Sequence, residues 1–129
     1  YGNISATGDI TSSASDERLK ENIETIENAV DKIKTLNGVR FNWNKNVEAL
    51  GFMPSQETEV GVIAQQVKKV LPEAVTIAPF DRSLENKLTS KSGENYLTVK
   101  YEKIVPLLIE AIKEQQQQID ELKEKLNGF

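Results

Sequence analysis

The stretch YEKIVPLLIEAIKEQQQQIDELKEKL, residues 101–126, decides how this chain is built. Within it Val105, Leu108, Ile112, Gln115, Ile119, Leu122 and Leu126 succeed one another at alternating steps of three and four, which is a heptad seam. A helix over 102–129 is therefore predicted. From Gln115 onward a narrow apolar stripe runs among polar and charged residues, which suits a two- or three-stranded coil rather than a helix lying on its own domain. For the first half, packing against its own domain is the competing reading. Gln115 in a core position weakens a coil while restricting its register or stoichiometry. Pro106 falls in the first turn, where its missing N–H costs nothing.

Working outward, Tyr96–Lys100 alternates apolar and polar residues as a strand does, and Ala74–Ala78 and Val39–Trp43 offer it partners. Between the last two, Gly61–Leu71 carries Val62, Ile63, Val67, Val70 and Leu71 at helical spacing, and Pro72 stops it. Arg18–Leu36 reads as a longer amphipathic helix through Leu19, Ile23, Ile26, Val30, Ile33 and Leu36, ended by Asn37-Gly38. Two segments read as loops: 44–59, with an apolar patch at Ala49, Leu50, Phe52 and Met53, and 79–95, a loop or projecting arm. Trp43 is expected in the core. Gln65 and Gln66 suit either an amphipathic helix surface or a contact with another chain. The predicted class is α+β and helix-dominated: a small globular domain with short strands over 15–101, followed by a C-terminal α-helical coiled coil over 102–129.

Composition narrows the functions. At 129 residues, with 38% hydrophobic and 28% charged residues, the chain fits one modest core plus an appendage. The eight aromatics leave that core to Ile, Val and Leu, a shortage of bulk that a partner chain would make up. A net charge of −4 provides no basic stripe for nucleic acid, and no apolar run approaches the ~20 residues of a membrane span. Neither partner is expected. The opening YGNISATGDITSSA, residues 1–14, is small and polar with isolated Ile4 and Ile10; it suits the last strands of a β-rich fibre continuing upstream and equally an unstructured leader.

The chain has no histidine and no cysteine. Triads and dyads built on imidazole or thiolate are excluded, as is an ordinary zinc site, so amide chemistry would rest on Ser or Thr with Lys, Asp or Glu. Ser15-Asp16-Glu17-Arg18-Leu19-Lys20 places a hydroxyl and an amine together. The plainer reading is a helix start, with Ser15 as N-cap, acidic residues in the first turn, and Lys20 pairing with Asp16 or Glu24. On an ideal helix of ~3.6 residues per turn, positions five apart lie on different faces. A working Ser15/Lys20 pair thus needs Ser15 outside the helix, in extended or turn backbone, and Lys20 reaching back from the first turns. Ser12 and Ser13 are rival hydroxyls. A lysine base must also be neutral, against an ordinary pKa of ~10.4, which burial or a neighbouring cation favours; Arg18 is the nearest such cation.

Taken together, SDERLKENI (15–23), VRFNW (39–43), GVIAQQVKKVLPEAV (61–75), YLTVKY (96–101) and VPLLIEAIKEQQQQIDEL (105–122) resemble, in order, the intramolecular chaperone domain of phage tail fibres and endosialidase tailspikes, the peptidase S74 type. The resemblance covers nearly everything from Ser15 to Leu126. It implies a homotrimer that helps an upstream β-rich passenger to trimerise and fold and then cuts itself off before the motif serine. Here that bond is Ala14–Ser15, with Ser15 as nucleophile and Lys20 as base, residues 1–14 as the passenger's end, and no cofactor. The implied setting is the host cytoplasm during virion assembly, the passenger ending in the virion tail or appendage and the chaperone domain released. A trimerisation foot that never cleaves is the alternative.

Overall fold

In a computed structural model that describes residues 4–51, 53 and 55–128, the described residues form two short antiparallel sheets and three α-helices joined by loops and 3-10 turns. Tyr1, Gly2, Asn3, Phe52 and Pro54, which the sequence assigns to the leader and the first loop, lie outside the described residues. Helix α1 is Ala29–Lys34, strand β1 Val39–Phe41, strand β2 Glu59–Gly61, helix α2 Ala64–Val70, strand β3 Val75–Ile77, strand β4 Leu97–Val99 and helix α3 Val105–Asn127. The α+β class predicted from sequence holds.

Strand β1 pairs with β2 in the register Val39↔Gly61, Arg40↔Val60, Phe41↔Glu59, and β3 pairs with β4 as Val75↔Val99, Thr76↔Thr98, Ile77↔Leu97. The second ladder is lengthened at both ends, Ala78 N–H donating to Tyr96 O at 2.8 Å and Lys100 N–H to Ala74 O at 2.7 Å. Gly61 is buried at the end of β2, where a Cβ would stand 2.7 Å from the Tyr101 hydroxyl that accepts from Val62 N–H. Only a residue without a side chain lets that hydroxyl approach the strand.

The core is small and has two parts. Ala29 and Val30 of α1 pack on Leu107 and Ala111 of α3, and Val67, Ala74 and Ile104 form a second cluster; Leu36 and Leu71 touch both. Ala29, Val67, Ala74 and Leu107 are fully covered. Helix α2 ends at Val70, and Leu71 (φ −148°, ψ 68°) leads out of it into Pro72.

Three expectations are corrected. The helix predicted over Arg18–Leu36 exists only as α1 and a separate 3-10 turn at Glu17–Leu19, because Asn22 and Asn28 take left-handed backbone (φ 52° and 53°) that breaks the ladder between them. Periodic apolar spacing persists across a segment that is not helical, and Leu19 and Ile23 are left exposed. The helix predicted from Gly61 starts three residues later, since Gly61 belongs to β2 and Ile63 is still extended. Trp43 is 40% exposed rather than core, stacked edge-on against Phe41 at 5.2 Å. The loop 44–59 contains a 3-10 turn at Lys45–Leu50, which the Asn44 side chain caps through Asn46 N–H.

The arm over 79–95 is tied down by one buried carboxylate that sequence reading passed over. Asp81 accepts from Ser90 Oγ at 2.6 Å, Ser92 N–H at 2.8 Å and Tyr96 N–H at 3.1 Å, while Ser90 Oγ accepts in turn from Gly93 and Asn95 N–H. The returning chain needs left-handed backbone at Gly93 and Asn95, residue types that tolerate it. Burial pushes the Asp81 carboxyl up, and the hydrogen bonds outweigh it and bring it from the ordinary 3.8 down to about 2. A carboxyl more acidic in the folded than the unfolded chain adds stability above its unfolded value and loses it as pH falls through the folded one. The stability gap between parent and Asp81→Asn should therefore be full above pH 5 and shrink toward pH 2, measured by denaturant unfolding across that range; a gap unchanged with pH would remove the charge from the account.

Candidate functional site

Ser15 precedes the turn rather than capping it. Asp16 is extended (φ −67°, ψ 131°) and caps the 3-10 turn, its Oδ1 accepting from Arg18 N–H at 2.9 Å. Leu19 N–H donates to Asp16 O and Lys20 N–H to Glu17 O, each at 3.1 Å. Lys20 then leaves the turn in extended backbone. Three tightly wound residues thus fold the chain back, and Lys20 Nζ donates to Ser15 Oγ at 2.7 Å. This is the geometry that the sequence required of a pair five residues apart, and a continuous α-helix could not have supplied it.

The charges around the pair are arranged differently from expectation. Arg18 grips Asp16 with a fork, Nε to Oδ1 at 3.1 Å and Nη2 to Oδ2 at 2.9 Å, so Asp16 pairs with Arg18 and not with Lys20. The side-chain bond to Arg18, helped by its backbone N–H, holds the Asp16 carboxyl below its usual value, and the same contact raises Arg18. The guanidinium expected as a second cation beside Lys20 is committed to a carboxylate. Ala14, Ser15 and Lys20 are all exposed in the single chain.

Helix α3 has two working sides. Ile104, just ahead of it, with Leu107 and Ala111 faces the domain, and Glu114 bonds to α1 through the N–H groups of Ala29 and Val30. The seam lies elsewhere. Val105, Leu108, Ile112, Ile119, Leu122 and Leu126 are exposed by 43% to 73%, and Gln115 is exposed with them. Lone-domain packing of the first half therefore uses a face other than the heptad positions.

Gln66, read as either surface or contact, accepts from Asn37 through its backbone and side-chain nitrogens. A groove of about 780 Å³ runs past Trp43, Leu50, Phe80 and Tyr96, and none of the residues lining it belongs to the hexamer. No described helix is long and apolar enough to cross a membrane.

Comparison with known proteins places this geometry in context. Long tail fiber protein Gp37 of Enterobacteria phage K3 is 40% identical over 112 residues, covering 87% of this chain and 8% of that protein. The same-named protein of Enterobacteria phage T2 is also 40% identical over 112 residues, 7% of its length. That of Enterobacteria phage M1 is 34% identical over 113 residues, 39% of its length. The chain thus spans only a small part of the relatives it matches. The family described as chaperone of endosialidase matches residues 15–76, beginning at the serine that Lys20 contacts. That segment carries the chain's likeness to the chaperone-of-endosialidase family, peptidase S74.

Proposed function

We propose that this chain is an intramolecular chaperone which trimerises an upstream phage fibre passenger through α3 and then releases itself by cutting Ala14–Ser15. Residues 1–14 are the passenger's end, 15–101 the chaperone body and 102–129 the coil. The family likeness and the tail fibre relatives support the fibre-associated chaperone role. The observation that best supports self-cleavage is the 2.7 Å hydrogen bond between Lys20 Nζ and the hydroxyl of the residue following the scissile bond.

In the reaction Ser15 Oγ attacks the Ala14 carbonyl carbon as its proton passes to a neutral Lys20 amine. The tetrahedral adduct collapses with Ser15 N as leaving group, which takes a proton from the Lys20 ammonium, and an ester joins Ala14 to Ser15 Oγ. Water then hydrolyses the ester, giving an Ala14 carboxylate and a chain with a free Ser15 amine. No separate nucleophile has to be recruited, because Ser15 sits beside its own target.

Exposure of the pair in the single chain suggests the control. Assembly that buries Lys20 favours the neutral amine the reaction requires. Cleavage then reports a correctly assembled trimer, and loss of the chaperone leaves the passenger kinetically trapped in its fold. Mass spectrometry of the assembled chain should find a fragment beginning at Ser15; a start at Ser12 or Ser13 would assign the hydroxyl wrongly. Truncation before Gln115 should give a monomer in which cutting is slowed by about 100-fold or more. Equal rates in that monomer would remove the gate, and a chain intact after assembly would leave a non-cleaving foot.

A further inference from the structure

We propose that Glu114 is a positioning residue for the Ser15/Lys20 site, the tie by which assembly along α3 fixes the segment carrying nucleophile and amine. The inference rests on the self-cleaving reading above. Glu114 Oε2 accepts from Ala29 N–H at 2.7 Å and Oε1 from Val30 N–H at 3.3 Å, across 85 and 84 residues of sequence. These are the first amides of α1, which has no side-chain cap of its own at Asn28. Amides at a helix start lack intrahelical partners, and a carboxylate satisfies them where the backbone dipoles also favour negative charge.

One turn of α3 therefore works in two directions. Ala111 and Glu114 hold α1, while Ile112 and Gln115, each one position further on, belong to the exposed seam. Whatever orients the seam orients Glu114. From Ala29 the chain runs back to Lys20 through residues 21–28, whose course is set by the left-handed Asn22 and Asn28 and by Ile26 packed against the α1/α3 cluster. The segment begins in the exposed Asp16 turn and is held to α3 at its other end by Glu114.

The test uses the full 129-residue chain and three variants. Glu114→Ala removes both acceptors, Glu114→Gln keeps one, and Val30→Ala loosens the same α1/α3 contact while leaving both bonds in place. With oligomeric state checked by sedimentation, Glu114→Ala should slow release of the leader by about tenfold or more, Glu114→Gln should stay within about threefold of the parent, and Val30→Ala should lose melting temperature without losing rate. Amide resonances of Ala29, Val30 and Lys20 should shift together in Glu114→Ala. Release that simply follows melting temperature across the three, or a Lys20 amide that does not move, overturns the tie. A parent chain that never cleaves overturns the reading beneath it, and the amide shifts still report separately whether Glu114 reaches Lys20.

Discussion

Ser15→Ala should leave the Ala14–Ser15 bond intact while assembly proceeds, with release reduced by about 10³-fold or more, because no other group supplies the attacking oxygen. Lys20→Ala should match it. Lys20→Arg is the sharper variant: it keeps a positive hydrogen-bond donor near Ser15 Oγ but cannot give up its proton, so a base role predicts loss as complete as with alanine, whereas mere anchoring of the serine predicts retention. Since both sites of change are exposed, unfolding free energy should move by no more than about 0.5 kcal/mol. Intact mass and denaturant unfolding on the same samples decide the matter. Normal release from Ser15→Ala would end the assignment.

The largest expected stability effect is at Leu107, fully covered where α1 meets α3. Leu107→Ala should cost about 2–5 kcal/mol, the transfer term plus the cavity left among Ala29, Val30 and Ala111. Leu122 makes the contrast: it is 59% exposed in the single chain, and Leu122→Ala should change stability only through association. Its unfolding midpoint, like the parent's, should then depend on protein concentration, with a deficit that grows as the assembled form becomes populated. Denaturation at several concentrations separates the two. A deficit at Leu122 independent of concentration would place the seam against its own chain.

How far sequence reading reached follows from the range of each interaction. Helix α3 and the strands β3 and β4 were legible because their patterns are local and regular, whereas the choice of β3 over β1 as the partner of β4 was left open. The stretch Arg18–Leu36 was not, since its apolar spacing fits a helix while two asparagines, the non-glycine residues most at ease in left-handed backbone, divert the chain. Strand β2 is three residues long and abuts the spacing of α2, so its signal was absorbed. In the site itself, Ser15 and Lys20 were visible in the hexamer, as was the need for extended or turn backbone at Ser15. The capping role of Asp16 was assigned to Ser15, because both are favoured caps one residue apart. Glu114 and Asp81 carried no local mark: their partners are amides, which every residue possesses, and only the folded path brings them near.

The division of labour along α3 makes the chain modular. Up to Glu114 almost every turn is committed on two sides, to the body and to the seam, so its residues cannot be exchanged freely. Beyond Gln115 the helix answers to the seam alone, with every described residue exposed. On the proposed coil, that distal half should be replaceable by a foreign zipper of the same phase without disturbing the body. The number of strands gathered would then be an interchangeable property of the last few turns.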